Sequence, residues 1–257
     1  MLIAALVLAG LLSALRAQAQ NTLGIDLQMT DVQWAPASGT LDWTSPWELD
    51  AAAAVFDSQN GFNNGYQSQI GQPASVAASA ATPLITAGSQ AEVDATGTIL
   101  SLQSSFSETV PPGVAVTAFA TATAYGEFEI TGGTGPVPVT FSYDYSGQFQ
   151  STGDAVPGDA FNDLASLRIS DGVNEWDLTT SDNVGGSTDG PFGGTLDQSF
   201  SLQYDTPYSI TLVTDTETPE PGSLHLLALG ILLCARWPVL KARGHRKEAV
   251  APDAGSV

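Results

Sequence analysis

Carboxylates are the only side chains in the central part of this chain that could serve as catalytic acids or bases. His225, His245 and Cys234 all lie beyond residue 220, and so do both lysines. Their absence removes Ser-His-Asp and Cys-His catalysis, a zinc site built on His or Cys, and a lysine Schiff base. What remains is a pair of carboxylates, as in glycoside hydrolysis, where burial raises the pKa of one member.

Glu127 and Glu129 are the closest candidates for such a pair, because they share one face of a predicted strand. A solvated strand face has the same alternating pattern, and nothing in the flanking sequence indicates a substrate cleft. We therefore expect no catalytic residue and a protein that is not an enzyme. A carboxylate-based glycosidase is the alternative.

Three aspartates, Asp154, Asp159 and Asp163, lie close together in a loop-like stretch and could bind a hard cation. Calcium is the metal that oxygen ligands on a flexible loop would suit. Their spacing matches no EF-hand, and Asp is also common in loops because it bonds the local backbone. The sequence thus predicts no cofactor, with calcium as the one metal hypothesis.

Trp34, Trp43 and Trp47 fall within one short stretch near the start of the body. Exposed tryptophans could stack on sugar rings, which would indicate a carbohydrate-binding module. Tryptophans more often fill cores and amphipathic edges, and we favour that interpretation here.

The body of the chain is strongly acidic. Of the 27 acidic residues, all but Glu248 and Asp253 lie between residues 20 and 221, where Arg168 is the only basic residue. Such a surface repels phosphate backbones, so we expect no nucleic-acid partner. Its charge favours solubility and repulsion between copies.

Hydrophobic side chains in the body recur with a period of two, which is typical of strands. Alternation is clearest at 114–130 and 137–149, and the glycine-rich stretch 131–136 between them predicts an antiparallel hairpin. A bulge is expected near Gly97, and the polar stretch 57–90 reads as a long loop with one hairpin at most.

A second hairpin is predicted at Asp171-Gly172, a pair typical of two-residue type I′ turns. That turn would place Arg168 opposite Glu175 and leave Leu167 and Trp176 on the buried face. Together these patterns predict an all-β fold, an antiparallel two-sheet sandwich of jelly-roll-like type, with a barrel as the alternative. We expect it to be flanked by an N-terminal signal helix and a C-terminal membrane helix.

Export signals are indicated at both ends. Residues 2–15 are an apolar run followed by Ala17 and Ala19, the small-residue pattern that signal peptidase cleaves. This predicts a signal peptide at 1–19 and a secreted acidic domain at 20–217.

The second signal begins at Pro219, Glu220 and Pro221, followed by the apolar stretch 224–235. Basic residues then form a membrane stop at Arg236, Lys241, Arg243, Arg246 and Lys247. This order of parts resembles the PEP-CTERM sorting tail of exported bacterial proteins. The resemblance covers 218–247, which leaves 248–257 as a polar cytoplasmic tail.

The resemblance implies processing by an exosortase, a membrane transpeptidase that would recognise Pro219, Glu220 and Pro221. It also implies a protein held briefly at the inner membrane and then found at the cell surface or outside the cell. On this reading the protein is a structural or adhesive component of an exopolysaccharide matrix, with a carbohydrate-binding module as the alternative.

Overall fold

The computed structural model describes residues 21–111, 114, 116–152, 160–185 and 190–218. Within these ranges the secondary structure is entirely strands and their connections, arranged as two antiparallel sheets. The prediction of an all-β, two-sheet antiparallel fold is therefore confirmed. No helix capable of crossing a membrane occurs within those ranges, and the predicted signal and membrane helices lie outside them.

Thirteen strands occur in the described ranges. They are β1 (Asn21–Pro36), β2 (Thr40–Trp43), β3 (Glu48–Asp57), β4 (Gly61–Ile70), β5 (Ala74–Ala81), β6 (Ile85–Val93), β7 (Ile99–Val110), β8 (Val116–Thr131), β9 (Pro136–Thr152), β10 (Ala160–Ser170), β11 (Glu175–Gly185), β12 (Gly190–Gln203) and β13 (Tyr208–Glu217).

Sheet 1 has the strand order β12-β9-β1-β7-β6-β5. Sheet 2 has the order β11-β10-β13-β8-β3-β4, and β2 pairs with β8 outside this path. The chain changes sheet between β1 and β2, β4 and β5, β7 and β8, and repeatedly after β8. Each sheet therefore combines strands that are distant in sequence.

One hydrophobic core joins the inner faces of the two sheets. Alternation is strict along β5 and β13, where every second residue is buried, as expected for strands with one face on the core. The largest fully buried side chains include Trp47, Tyr143, Tyr208 and Phe128. Alanines on β3 and β8 keep the opposing sheets close.

Within the part of the chain that the structure describes, three side chains with a polar group cross this core and bond the backbone of the opposite side. The Tyr143 hydroxyl on β9 donates to the carbonyl oxygens of Ala165 at 2.7 Å and Leu178 at 3.2 Å. Burial raises the pKa of Tyr143, so its hydroxyl stays protonated as a donor. The other two bonds run from Ser89 Oγ to Ala52 O and from Trp47 Nε1 to Gly97 O, both at 2.9 Å.

The predicted hairpin between 114–130 and 137–149 is wrong. Both stretches are strands, but β8 belongs to sheet 2 and β9 to sheet 1. Each has one apolar face, and those faces meet across the core, with the rings of Phe128 and Phe141 6.1 Å apart. Alternation predicts which face is buried, but it does not say whether two strands pair or pack face to face.

The hairpin β10–β11 exists, but its predicted two-residue turn is wrong. Arg168 lies opposite Asp177, and the connection has four residues, 171–174. The Asp171 carboxylate accepts bonds from the backbone N–H groups of Val173 (2.8 Å) and Asn174 (2.6 Å), which stabilises the wider turn. Because the register moves by two residues, the predicted buried and exposed faces are unchanged.

The predicted long loop at 57–90 is also wrong, because β4, β5 and most of β6 occupy it. β4 and β5 are edge strands, so their many Asn, Gln and Ser side chains can remain solvated within a sheet. The expected bulge near Gly97 is present, since Glu92 pairs with Ser101 but Val93 pairs with Ile99. Gly97 itself lies in the turn between β6 and β7. Asp94 stabilises this turn by accepting bonds from Thr96 and Thr98.

An amide seam, formed by Asn63, Gln67 and Gln69 of β4, closes one side of the sandwich. Asn63 Nδ2 donates to Ala81 O at 2.8 Å, while Gln67 and Gln69 accept from β5 backbone N–H groups at 3.2 and 3.4 Å. Gly65 permits this close approach, because a Cβ there would lie 2.4 Å from Ser79 O. The seam fixes β4, an edge strand of sheet 2, against the edge of sheet 1.

Candidate functional site

Among the side chains that the structure describes, five aromatic ones lie on the outward surface of sheet 2, away from the core. We call this set the aromatic face; it comprises Phe56, Phe62, Tyr66, Phe119 and Tyr125. They come from three adjacent strands, β4, β3 and β8. Neighbouring strands lie about 4.8 Å apart, so rings on adjacent strands can form one continuous surface.

β4 carries the most exposed part of the aromatic face. Phe62 is 49% exposed and Tyr66 is 54% exposed, and Ile70 extends the same row at 64%. Phe56 lies directly opposite Phe62 on β3, at a Cβ separation of about 5 Å. These are half-exposed rings in contact range of each other, unlike the isolated exposed apolar residues that any protein surface carries.

Small side chains form a low floor between the aromatic rings. Ala52 lies opposite Tyr66, and Ala54 lies between Asn64 on one side and Phe119 on the other. Phe62 and Tyr66 are four residues apart on an extended strand, a distance of about 13 Å. Along β4 itself, the outward residue between the two rings is Asn64, and the alanines lie beside it on β3. A ligand that follows β4 can therefore contact two rings across a surface without other large side chains.

Carboxylates accept hydrogen bonds from both tyrosines of the aromatic face. Tyr66 donates to Asp50 Oδ1 and Tyr125 donates to Glu127 Oε1, each at 2.7 Å. A phenol bonded in this way has a fixed ring orientation, and the carboxylate retains lone pairs for other donors. The face thus combines planar apolar surfaces with hydrogen-bond acceptors, an arrangement suited to binding.

The outward surface of sheet 1, which we call the polar face, is built differently. Its positions on β1, β6, β7 and β9 are mainly Thr, Ser, Gln, Asp and Gly, and no aromatic side chain points outward among its described residues. One depression on it has a volume of about 210 Å³ and is lined by residues that include Gly88, Gln90, Gln103 and Ser105. This shallow polar surface offers no stacking platform.

The three tryptophans belong to the core and its margin, as the favoured interpretation predicted. Trp47 is fully buried, and Trp34 and Trp43 are half-buried against the core. Their rings form one cluster, with centroids of Trp43 and Trp47 4.7 Å apart. The sugar-stacking hypothesis for these three residues is therefore wrong, and the exposed rings are on other strands.

The candidate carboxylate pair does not occupy an enclosed site. Glu127 is exposed and Glu129 is half-buried on the outward face of β8, where Glu129 lies opposite Asp42.

Arg168 Nε bonds Asp177 Oδ1 at 2.8 Å, with both side chains about half exposed. The predicted cross-strand ion pair of Arg168 exists with a different partner, and it remains a surface pair of small energetic value.

Several predicted site residues fall outside the described residues. Asp154 and Asp159 lie there, and Asp163 is in β10, where only its backbone is described. Among the side chains that are described, no cluster of three metal-ligating residues occurs. Also outside the described ranges are Ala17, Ala19, Pro219, Glu220, Pro221, Arg236, Lys241, Arg243, Arg246 and Lys247.

Sequence reasoning missed the aromatic face because it read β4 as loop. The signal was present, since Phe62, Tyr66 and Ile70 all occupy even positions and therefore share one side of a strand. Polar residues between them hid that pattern. Comparisons with protein-family models, curated proteins and solved structures found no match to this chain.

Proposed function

We propose that this protein is exported and adheres to polysaccharide through the aromatic face, as an adhesive component of an extracellular matrix. The observation that carries the proposal is the row of half-exposed rings, Phe62 and Tyr66, on one outer surface only. A sugar ring has apolar faces and hydroxylated edges, so it can stack on such rings and donate to adjacent carboxylates. Binding, not catalysis, is the proposed activity.

Export is the second part of the proposal. It rests on the signal-peptidase pattern at Ala17 and Ala19 and on the PEP-CTERM-like tail that begins at Pro219. Signal peptidase and an exosortase-type transpeptidase would be the processing partners. The tail helix would anchor the protein transiently in the inner membrane before its release to the surface. We propose that the body of the protein is jelly-roll-like.

Affinity electrophoresis tests the binding activity directly. The full-length protein should migrate more slowly in gels containing polysaccharide than in gels without it. The double variant Phe62→Ala, Tyr66→Ala should lose this retardation. Leu100→Ala is the matched control, because Leu100 is 45% exposed on the other sheet. Equal retardation of both variants and the parent protein would show that the aromatic face is not the binding site.

Intact-mass spectrometry of protein from the native host tests the export route. A species that begins at Gln20 and ends near Pro221 would support both processing steps. A species that retains Cys234 in the presence of the transpeptidase would contradict processing at the Pro-Glu-Pro segment.

A carboxylate-based glycosidase is the alternative function, with Glu127 and Glu129 as its acid and base. It predicts release of reducing sugar from a bound polysaccharide and loss of that release in Glu129→Gln. The binding proposal predicts that a retarded polysaccharide is not shortened.

A further inference from the structure

Tyr66 and Asp50 form a diagonal pair on the outward surface of sheet 2. Tyr66 lies opposite Ala52 across the β4–β3 ladder, and Asp50 is two residues from Ala52 on the same side of β3. The Tyr66 hydroxyl donates to Asp50 Oδ1 at 2.7 Å. Diagonal neighbours of this kind are about 7 to 8 Å apart, a distance that an aromatic side chain can span. The hydrogen bond therefore connects two strands through the ring of Tyr66.

This hydrogen bond determines how the ring is inclined. Side chains on a strand normally stand perpendicular to the sheet, which would hold the Tyr66 hydroxyl well above its neighbours. The Asp50 side chain is short, so its carboxylate ends close to the sheet. A hydroxyl that reaches this carboxylate must belong to a ring that leans across toward β3, with one ring face toward the sheet and the other toward solvent. Tyr66 is 54% exposed, as expected for a ring with one free face.

Two small side chains next to this pair are covered although they point outward. Ala52 is 9% exposed, and Thr123, which lies opposite Asp50 on β8, is 8% exposed. Ala54, the next outward position on β3, is only half-buried. A ring that crosses from β4 toward Asp50 would pass over Ala52 and end near Thr123. The burial of both positions agrees with a leaning ring and would not be expected for an upright one.

We propose that Asp50 positions the Tyr66 ring as a flat stacking platform, and that this platform selects an equatorially linked glucan over an axially linked one. This inference rests on the proposed function and specifies its ligand. A ring held at one inclination offers its whole face to a sugar. An untethered ring would lose rotational freedom when the ligand binds, which weakens affinity. Asp50 is therefore a positioning residue, which acts on the ligand through Tyr66.

The shape of the surface determines which glucan fits. In an equatorially linked glucan, as in cellulose, successive sugar rings form a flat ribbon with apolar faces. An axial linkage, as in starch, turns each sugar relative to the last, so the chain coils and neighbouring faces are not coplanar. Phe62 lies about 13 Å from Tyr66 along β4, and only Asn64 stands between them on that strand. A ribbon can contact both rings, whereas a coiled chain would contact one.

Two uncharged glucose polymers with the same substituent test the selection by linkage. Hydroxyethyl cellulose is linked equatorially, and hydroxyethyl starch is linked axially. In affinity electrophoresis, we expect the full-length protein to bind the cellulose derivative at least about tenfold more tightly. This preference should be reduced in Phe62→Ala, because only the ribbon contacts both rings.

The outcomes distinguish this inference from the proposed function. Equal or tighter binding of hydroxyethyl starch would overturn the selection by linkage and leave polysaccharide binding in place. Binding to other polysaccharides of a wider panel, but to neither glucose polymer, would also overturn the inference alone. Absence of binding to every polysaccharide in that panel would overturn the inference and the function together.

A double-mutant cycle tests whether Asp50 acts through Tyr66. Asp50→Ala and Tyr66→Phe each remove the hydrogen bond and keep an aromatic ring, so each should weaken binding to hydroxyethyl cellulose about threefold to tenfold. Because both substitutions remove the same bond, the double variant should lose far less than the product of the two losses. Losses that multiply would show that Asp50 contributes independently of Tyr66 and would overturn its positioning role.

The preference between the two polymers separates positioning from a general effect on folding. Asp50→Ala should lower affinity for hydroxyethyl cellulose more than for hydroxyethyl starch, because only the ribbon uses the whole ring face. Asp26→Ala is the matched control, since Asp26 is an exposed carboxylate on the polar face that accepts a bond from Gln103 Nε2 at 2.9 Å. It should leave the preference unchanged. If Asp50→Ala retains the preference of the parent protein while its unfolding midpoint is unchanged, Asp50 does not position the platform.

Discussion

The two outer faces of the sandwich contrast sharply although one core supports both. The polar face has short hydroxyl, amide and glycine positions, whereas the aromatic face has Phe62 and Tyr66 about half exposed. Folding does not require this difference, because half-exposed rings bury little extra apolar area. Exposed rings also favour association with other surfaces. We infer that the aromatic face is kept for binding and the polar face for solubility.

The two sides of strand β4 also differ from each other. Odd-numbered residues of β4, such as Gln67, bond β5 through the amide seam, while even-numbered residues, such as Tyr66, form the aromatic face. One edge strand therefore closes the sandwich and presents the proposed ligand surface. Positioning of the rings depends on bonds made on the opposite side of the strand.

Truncation of a side chain in the core that both sheets share should have the largest effect on stability. Loss of that core would abolish the distinction between the faces. Trp47 is fully buried and bonds Gly97 O at 2.9 Å. We expect Trp47→Ala to lower the free energy of unfolding by about 3 to 5 kcal/mol. Denaturant unfolding measures this, with Trp176→Ala as a half-buried comparison. A loss below that of Trp176→Ala would contradict the assignment of Trp47 to the common core.

Removal of the rings should affect binding and leave stability nearly unchanged. Each of Phe62→Ala and Tyr66→Ala is expected to weaken polysaccharide binding by about 2 kcal/mol, or roughly thirtyfold. The unfolding midpoint should stay within experimental error because both side chains are half exposed. Isothermal titration and denaturant unfolding on the same samples measure the two effects. Equal losses in Leu100→Ala would remove the distinction between the faces.

Two tyrosine hydroxyls provide a sharper comparison of interior and surface. Tyr143→Phe removes a donor that bonds Ala165 O and Leu178 O inside the core, and should cost about 1 to 1.5 kcal/mol of stability. Tyr66→Phe removes an exposed hydroxyl bonded to Asp50, and should change affinity more than stability. The comparison fails if the two variants lose the same stability.

A change in the amide seam should have a smaller effect on stability. It should also affect ligand binding, because the seam and the rings lie on opposite sides of β4. Gln67→Leu leaves the Ala77 backbone N–H without its acceptor and should cost about 0.5 to 1 kcal/mol. Faster hydrogen exchange at Ala77 and a modest loss of affinity should accompany it. Gln67→Glu retains an oxygen acceptor and should restore both. If Gln67→Leu exchanges as slowly as the parent protein, the seam does not position β4.

Acid should gradually remove the stability that the carboxylates of the turns contribute. Hydrogen bonds from Thr96 and then Thr98 lower the pKa of Asp94 below 3.8, and those from Asn174 lower that of Asp171. A folded-state pKa below the unfolded value contributes stability above about pH 4 that is lost as pH falls through the folded value. The midpoint of thermal unfolding, measured between pH 2 and pH 6, should therefore fall at the acid end. This fall should be smaller in Asp94→Asn. A flat profile would contradict it.

Sequence patterns predicted strands and their buried faces better than the way those strands pair. Alternation identified the inner faces of β8, β9 and β10 because burial depends on local period. Pairing depends on contacts between distant residues, so β8 and β9 were predicted as neighbours although they lie in opposite sheets. The turn after β10 was predicted too short, because Asp171 could bond Val173 and Asn174 in a wider turn.

The candidate site was the least predictable part. Tryptophans near the start attracted the sugar-binding hypothesis, but Trp47 is buried and the exposed rings are Phe62 and Tyr66. Edge strands tolerate polar residues on both sides, so β4 resembled a loop by composition. The backbone ladder with β3 makes β4 part of sheet 2, and the amide seam gives its polar side chains partners on β5.

Mapping of the ligand contact by backbone amide chemical shifts tests the central claim most directly. Titration of the full-length protein with an uncharged cellulose oligosaccharide should move the amide signals of 48–56, 62–70 and 117–125. Signals from the outward positions of β1, β6 and β7 should stay unchanged. Shifts confined to those polar-face strands, or spread evenly over both faces, would contradict a binding site on the aromatic face.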